Sequence, residues 1–157
     1  MTGLAIASAN EHRTDRILLV EDNAGDAELT MMAFERQSLS KRVVHVRDGV
    51  EAIDYLTCRG AFEGRVPGLP ALVFMDLKMP MLDGFVVLKQ VRSTPGICHV
   101  PVVVLTSSDA PEDRARAYEA GANAYMCKSV DFVAFMDAMR CACQFWTEVN
   151  RRADPTA

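Results

Sequence analysis

Short apolar runs recur along the chain and are separated by segments in which apolar residues are spaced as on a helix. The runs are Ile17–Val20, Val43–Val46, Leu72–Met75, Val102–Leu105 and a weaker one at Ala124–Met126. Apolar runs of this length are typical of strands that are buried on both faces, as in a parallel sheet. The pattern therefore predicts five short strands.

The segments between the predicted strands have apolar residues at helical spacing, and some contain residues typical of helix starts and ends. After the first run, Ala27, Met31 and Phe34 recur as expected on the buried face of a helix. Pro111 favours the start of the fourth helix and Gly121 its end. Strict alternation of strand and helix, with right-handed crossovers, gives a parallel sheet covered by helices on both faces. We therefore expect an α/β fold of the flavodoxin-like (βα)5 type, a doubly wound parallel sheet with strand order 2-1-3-4-5.

The last predicted helix is extended, from Val130 to Val149, and has apolar residues on more than one side. One apolar stripe contains Phe132, Met136, Met139, Cys143 and Trp146, and the second contains Ala134, Ala138, Cys141, Phe145 and Val149. One stripe can pack on the sheet, whereas the other needs a further partner, most simply a second copy of the chain. We expect a homodimer; the alternative is that other helices of the same chain cover both stripes.

Composition and charge narrow the class of protein. The chain has 157 residues, of which half are apolar and 24% charged, so one ordinary domain is expected at 16–150, between a flexible tail at 1–15 and a second tail at 151–157. The net charge of −4 argues against a nucleic-acid partner, which requires a basic face.

No apolar stretch approaches the roughly 20 residues needed to cross a bilayer, and no signal peptide is recognised. Five cysteines without a framework spacing fit reduced thiols. We expect a cytoplasmic protein without a membrane partner.

Charged and hydroxyl side chains stand at or just past the carboxyl ends of four predicted strands. Glu21 and Asp22 follow the first strand, Asp76 the third, Thr106 the fourth and Lys128 the fifth. Ligands of open α/β sheets bind at this edge, in the crevice where the strand order reverses, which here lies between the first and third strands. We therefore expect these five side chains to meet in one site.

The acidic members of this site predict a bound divalent cation. Three carboxylates within about 4 to 6 Å repel one another by several kcal/mol per pair at an effective dielectric near 20, so a positive charge is required. A small site made of oxygen ligands favours Mg²⁺, which retains several of its waters. We expect Asp22 and Asp76 to bind the ion directly, Glu21 to act through water, and the backbone carbonyl of Lys78 to provide a further ligand.

The same residues predict phosphoryl transfer to a carboxylate. A carboxylate can attack phosphorus if its own charge and that of the incoming group are offset. Asp76 is the expected phosphoacceptor, with Mg²⁺ supplying part of the offset. Lys128 supplies an ammonium that can pair with a phosphoryl oxygen, and Thr106 supplies a hydroxyl donor.

These motifs together resemble the receiver domain of two-component response regulators, over roughly residues 16–149. The matching segments are Val20–Asn23, Met75–Pro80, Asp83–Gly84, Val104–Ser107 and Ala124–Lys128. A long early loop, too few residues after the last helix for an output domain, and the Phe145-Trp146 ending are most similar to the stand-alone regulators that serve bacterial phytochrome histidine kinases.

The resemblance implies that a sensor histidine kinase, of the bacteriophytochrome type, transfers a phosphoryl group from phosphohistidine to Asp76. It also implies that Thr106 senses the phosphoryl group and that Tyr125 is a switch aromatic, which rotates into the space that Thr106 vacates. The changed surface would be formed by the fourth helix, fifth strand and fifth helix, which is also the expected dimer face. The chain departs from the family at Ser129, where proline is usual, so a cis and a trans Lys128–Ser129 bond both stay open.

Three other functions are compatible with parts of the pattern. A haloacid-dehalogenase-type phosphatase also uses a carboxylate nucleophile and Mg²⁺, but such sites commonly have a second acid two residues after the nucleophile, where this chain has Lys78. A nucleotide- or flavin-binding module would place its phosphate after the first strand, where Glu21 and Asp22 would repel it. The sequence does not distinguish a signalling receiver from a receiver that serves only as a phosphate sink or docking partner.

Overall fold

A computed structural model describes residues 15–153 of the chain. The predicted tail at 1–15 lies outside the described residues except for Asp15, and so do residues 154–157 of the predicted tail at 151–157. Within the described range, no helix combines the length and the apolar character that crossing a bilayer requires.

The five predicted strands are present and form one parallel sheet. They are β1 (Ile17–Val20), β2 (Val43–Val46), β3 (Leu72–Met75), β4 (Val102–Thr106) and β5 (Ala124–Cys127), in the order β2-β1-β3-β4-β5. This order confirms the flavodoxin-like prediction, and β4 and β5 each extend one residue beyond their predicted ends. Because every strand pair is parallel, the five carboxyl ends lie at the same edge of the sheet.

Five helices alternate with the strands, and their first turns show why they begin where they do. They are α1 (Ala24–Arg36), α2 (Gly49–Thr57), α3 (Gly84–Ser93), α4 (Pro111–Ala120) and α5 (Phe132–Gln144). Four of them begin after a residue whose side chain accepts a hydrogen bond from the backbone N–H three residues later; these residues are Asn23, Asp48, Asp83 and Asp131. The helix α4 begins with proline instead and ends at Gly121, whose φ of 109° lies in the left-handed region.

Alternate residues of each central strand belong to two separate hydrophobic cores, one on each face of the sheet. Leu18 and Val20 lie in a core that also contains residues of α2, α3 and α4. Ile17 and Leu19 point to the other face, where α1 and α5 supply the remaining core residues. Successive side chains of a strand point to opposite faces, so one short strand serves both cores.

The carboxyl-terminal helix differs from the prediction in its length and in the residues that it buries. The helix α5 ends at Gln144, and a π-helical turn, Phe145–Val149, follows it. Its buried residues are Phe135, Met139 and Cys143, and Met136 and Trp146 pack against the same core. Phe135 was absent from both predicted stripes.

Phe132, by contrast, belongs to the predicted stripe that packs on the core, but it is 38% exposed. Its ring lies against the Arg36 guanidinium of α1, with the guanidinium carbon 5.0 Å from the ring centroid. The other predicted stripe is exposed along its whole length, at Ala134, Ala138, Cys141, Phe145 and Val149. Within residues 15–153, therefore, no helix of the same chain covers this second stripe.

Candidate functional site

Backbone hydrogen bonds hold the strand ends together at the carboxyl edge of the sheet. The amide of Asp76 donates to the carbonyl of Val20 (3.1 Å), and the amide of Lys128 donates to the carbonyl of Thr106 (2.7 Å). The amide of Glu21 likewise donates to β2 over 3.0 Å. The hydrogen-bond ladders thus continue beyond the strand ends and fix the backbone from which the predicted site residues project.

Glu21, Asp22 and Asp76 form an acidic cluster at this edge. Each contributes a carboxylate oxygen, and these oxygens all lie within 4.8 Å of one another. Glu21 is buried, Asp76 is partly buried and Asp22 is exposed. The structure therefore brings together the three acids that the sequence placed in one crevice, with an open side toward Asp22.

The ammonium of Lys128 lies inside this acidic cluster. Its Nζ is 2.5 Å from Oε1 of Glu21, 2.9 Å from Oδ2 of Asp26 and 3.1 Å from Oδ2 of Asp76. The Lys128 side chain is 10% exposed, so little water competes for these contacts. A charge-assisted network of this kind stabilises the fold only while every buried charge keeps a partner.

Burial and neighbouring charges shift the pKa values of the clustered groups in different directions. Burial, together with the neighbouring carboxyl group of Asp76, raises the pKa of Glu21 to about 8. Burial acts in the same direction on Asp76, but the neighbouring carboxyl group of Glu21 and the charge of Lys128 outweigh it and lower the pKa of Asp76. Burial opposes the charge of Lys128, yet its hydrogen bonds to Glu21 and Asp26 raise its pKa. Burial and the neighbouring charges thus favour the protonated form of Glu21 and the ionised form of Asp76.

One oxygen of the Glu21 carboxyl group lacks a hydrogen bond. Its Oε2 is buried and has no hydrogen-bond partner among residues 15–153. An ionised carboxylate oxygen without a partner is costly in this environment, whereas a proton or a divalent cation would satisfy it. The donor set and this orphaned oxygen fit a small, hard cation such as Mg²⁺.

The backbone after β3 fixes the orientation of the Asp76 side chain. Oδ1 accepts a hydrogen bond from the amide of Leu77 (2.7 Å), which leaves Oδ2 directed toward Lys128. Gly84 packs directly against this turn, since a Cβ at that position would lie 2.5 Å from the carbonyl oxygen of Asp76. The close approach explains why glycine is required at the start of α3.

Thr106 and Tyr125 both contact the connection between β4 and α4. Thr106 is buried, and its hydroxyl oxygen accepts a hydrogen bond from the amide of Ser108 (3.3 Å). The hydroxyl of Tyr125 donates to the carbonyl of the same Ser108 (2.8 Å). The thiol of Cys127 also donates to that carbonyl, at 3.4 Å. Ser108, in the connection between β4 and α4, is thus hydrogen-bonded to residues of both β4 and β5.

Two further predictions concern the backbone carbonyl of Lys78 and the Lys128–Ser129 peptide bond. Lys78 has an exposed side chain, and its amide donates to Oδ1 of Asp76 at 3.4 Å; the role of its carbonyl as a metal ligand stays a prediction. The Lys128–Ser129 peptide bond is trans, because no residue of the described range follows a cis bond. Of the cis and trans forms that the sequence left open, the structure has the trans form.

Sequence reasoning missed two residues that contact the site. Asp26 was not among the predicted site residues, whereas the structure places its carboxylate against Lys128. No sequence signal pointed to this contact, because an acid in the first turn of a helix has a sufficient local explanation. His45, an exposed residue of β2, was not among the predicted site residues either, and its Nε2 lies 2.8 Å from the carbonyl oxygen of Glu21.

The family follows from a comparison with known sequences. The sequence model of the response regulator receiver domain matches residues 17–140. The chain belongs to the response regulator receiver family. As a receiver, it is a signalling protein of the two-component type, and the resemblance stated from the motifs is confirmed.

Three solved receiver structures show which members of the family this receiver is similar to. The phosphorylated cyanobacterial phytochrome response regulator RcpA has a TM-score of 0.79 and 33% identity, covering 90% of this chain and 98% of RcpA. The Mn²⁺-bound form of response regulator Rcp1 has a TM-score of 0.79 and 30% identity, covering 89% and 99%. The bacteriophytochrome response regulator AtBRR is 47% identical with a TM-score of 0.69, covering 83% and 91%. This receiver is therefore similar in sequence and fold to phytochrome-associated regulators.

Proposed function

We propose that this receiver accepts a phosphoryl group on the carboxylate of Asp76 in a Mg²⁺-dependent reaction. The observation that carries the proposal is the position of the Lys128 ammonium, 3.1 Å from Oδ2 of Asp76 and inside the acidic cluster. An oriented, ionised carboxylate can attack phosphorus, and a neighbouring lysine charge can pair with the oxygens of the transferred phosphoryl group. The lowered pKa of Asp76 keeps this carboxylate ionised and nucleophilic at neutral pH.

Glu21, Asp22, Asp76 and the backbone carbonyl of Lys78 would hold the Mg²⁺ ion. When bound, the ion offsets the negative charge of the acids and of the phosphoryl oxygens. The orphaned oxygen of Glu21 and the mutual distance of the three acids support this assignment. The Mn²⁺-bound form of Rcp1 is a relative that binds a divalent cation.

The reaction can be written from the residues of this chain. An oxygen of Asp76 forms the new bond to phosphorus while the bond from phosphorus to the donor's nitrogen or oxygen breaks, and the donor leaves with that electron pair. Lys128 pairs with a phosphoryl oxygen, and the hydroxyl of Thr106 donates to another. In autodephosphorylation, the oxygen of a water molecule forms the new bond to phosphorus as the bond between phosphorus and Asp76 breaks, and inorganic phosphate leaves while Asp76 recovers its carboxylate. The proposed chemistry is limited to these two steps, without turnover of free substrates.

The proposed phosphodonor is a sensor histidine kinase of the bacteriophytochrome type. Support comes from the similarity to RcpA and AtBRR, which are both phytochrome response regulators. We further propose a cytoplasmic protein whose receiver domain occupies 16–150 and which has no nucleic-acid or membrane partner.

The signal would leave through the surface formed by α4, β5 and α5. Thr106 and Tyr125 are the proposed switch residues, because both are tied to Ser108 at the start of this surface. The exposed apolar stripe of α5 supports a homodimer through the same surface.

Phosphorylation in vitro tests the proposal directly. The native chain, incubated with acetyl phosphate and Mg²⁺, is expected to gain one phosphoryl group in its intact mass, and the Asp76→Asn variant none. Omission of Mg²⁺ is expected to abolish the gain. Equal modification of the native chain and of Asp76→Asn would rule out Asp76 as the acceptor. Multiple turnover on a free phosphate ester would favour the phosphatase alternative.

A further inference from the structure

A fourth carboxylate, that of Asp26, contacts the site from the first turn of α1. Its Oδ2 accepts a hydrogen bond from Nζ of Lys128 at 2.9 Å. The backbone of Asp26 is held on both sides, because its amide donates to Oδ1 of Asn23 and its carbonyl accepts from the hydroxyl of Thr30, each at 2.9 Å. The carboxylate is therefore presented to Lys128 from a fixed position.

The contacts of Lys128 leave no hydrogen free for a new partner. A lysine ammonium has three N–H donors, and the three carboxylates of Glu21, Asp26 and Asp76 each accept from Nζ. A phosphoryl oxygen on Asp76 can gain the ammonium only if one of these contacts is given up.

Burial decides which contact is released at the lowest cost. The Glu21 side chain is 2% exposed, so its carboxylate would lose both the ammonium and access to water. Asp76 holds the phosphoryl group itself. The Asp26 side chain is 40% exposed, so water can replace the ammonium around its carboxylate. Of the two contacts with carboxylates that stay unmodified, the Asp26–Lys128 contact is thus the one that can be given up at the lower cost.

We propose that Asp26 is a positioning residue that holds Lys128 in the unphosphorylated protein and competes with the phosphoryl group for it. Asp26 forms no bond to phosphorus and transfers no proton; it acts only through Lys128. The inference rests on the proposed phosphorylation of Asp76 and adds to it a residue that sets the balance between the unphosphorylated and phosphorylated states. Weaker competition should make phosphorylation faster and the phosphorylated state longer-lived.

The test compares Asp26→Asn with Glu28→Gln, which removes one negative charge from an exposed position of the same helix. Each chain is incubated with acetyl phosphate at saturating Mg²⁺, and phosphorylation and subsequent autodephosphorylation are followed by intact mass. In the forward step, the bond between Asp76 and phosphorus forms as the bond between phosphorus and acetate breaks, and acetate leaves with the electron pair.

We expect Asp26→Asn to be phosphorylated about threefold to fivefold faster than the native chain and to lose the group more slowly by a similar factor, as for an exposed ionic contact. Glu28→Gln should stay near the native rates, and Asp26→Glu, which retains the charge, should lie closer to the native chain than Asp26→Asn. If Asp26→Asn does not fold, as judged by thermal unfolding, Asp26→Ser is the second variant and should change the rates in the same directions.

Rates for Asp26→Asn that equal those of Glu28→Gln would overturn the inference, and so would slower phosphorylation, because the latter means that Asp26 supports Lys128 rather than competing for it. Neither result touches the proposed function as long as the native chain is modified on Asp76. Failure of the native chain itself to accept a phosphoryl group would overturn the proposed function, and this inference with it.

Discussion

The hydroxyl of Tyr125 donates a hydrogen bond to the carbonyl of Ser108, over 2.8 Å, and so joins β5 to the connection between β4 and α4. The same Ser108 donates its amide to the hydroxyl oxygen of Thr106. Two residues that the family resemblance assigned to a switch are therefore linked through one residue of a connection, before any phosphoryl group is present.

Loss of the Tyr125 hydroxyl should loosen this connection without impairing the acceptor site. In Tyr125→Phe we expect amide hydrogen exchange at 107–110 to become about fivefold faster, since one neutral hydrogen bond contributes about 1 kcal/mol. Phosphorylation of Asp76 should stay within about twofold of the native rate, because the ring remains and the hydroxyl does not contact the acids. The matched control is Tyr118→Phe, which removes a hydroxyl from a half-exposed ring on α4. Unchanged exchange in Tyr125→Phe would show that the hydroxyl contact does not hold the connection.

Binding of Mg²⁺ should depend on pH because the ion competes with a proton on Glu21. The pKa of Glu21 is raised to about 8 in the metal-free protein, so below that pH a proton must leave when the ion binds. Affinity should therefore rise by up to about tenfold per pH unit between pH 6 and 8 and level off above. Titration calorimetry at several pH values, in buffers with different ionisation enthalpies, measures both the affinity and the proton released.

The Glu21→Gln variant supplies the control for this pH dependence. It retains the shape of the side chain but has no proton to release, so its Mg²⁺ affinity should be lower above pH 8 and nearly independent of pH below it. A native profile that is flat from pH 6 to 8 would contradict the assignment of the proton to Glu21.

A methyl group at position 84 should destabilise the turn that orients Asp76. The added Cβ of Gly84→Ala would lie 2.5 Å from the carbonyl oxygen of Asp76 and 2.8 Å from Cα of Leu77. Both neighbours are backbone atoms that cannot move aside, so we expect a loss of about 2 kcal/mol or more in the free energy of unfolding. Urea denaturation measures this loss. Gly25→Ala is the matched control, because its Cβ would meet only Oδ1 of Asn23 at 3.4 Å, and it should be neutral or slightly stabilising.

A charge placed on the exposed apolar stripe of α5 should weaken self-association. Ala138 lies in the middle of that stripe and is exposed, so Ala138→Glu would bury a carboxylate if a second copy packs there. Sedimentation equilibrium should show a dimer for the native chain and a dissociation constant at least about tenfold higher for the variant. Gln90→Glu adds the same charge to an exposed position of α3 and should leave association unchanged. A native chain that is monomeric at high concentration, with and without phosphorylation, would exclude the dimer.

The strands could be predicted to within a residue because a polar side chain directly follows four of the five apolar runs. Asp76 closes a strand of four buried residues, and such a sharp change in polarity identifies a strand end independently of the rest of the fold. Once the strand order is known, convergence of these ends follows from geometry alone. The proximity of Glu21, Asp22, Asp76 and Lys128 was accessible to sequence reasoning for this reason.

Features that depend on packing between distant segments could not be predicted in the same way. Phe132 and Phe135 both fit the apolar periodicity of α5, and only contact with the core beneath α1 selects Phe135 for burial. Asp26 has a sufficient local explanation as an acid in the first turn of a helix, so nothing in the sequence points to a lysine 102 residues away. The raised pKa of Glu21 likewise requires its actual burial.

The division of the interior by the sheet has a mechanical consequence for the proposed output surface. Residues of α4 pack in one core and residues of α5 in the other, with β5 as the edge strand between them. The proposed surface therefore spans the boundary between the two cores, so a tilt of α4 about β5 would leave the core that anchors α5 unchanged. A partner that binds both helices would then respond to the angle between them, and a displacement at Ser108 would change the shape of the surface that it binds.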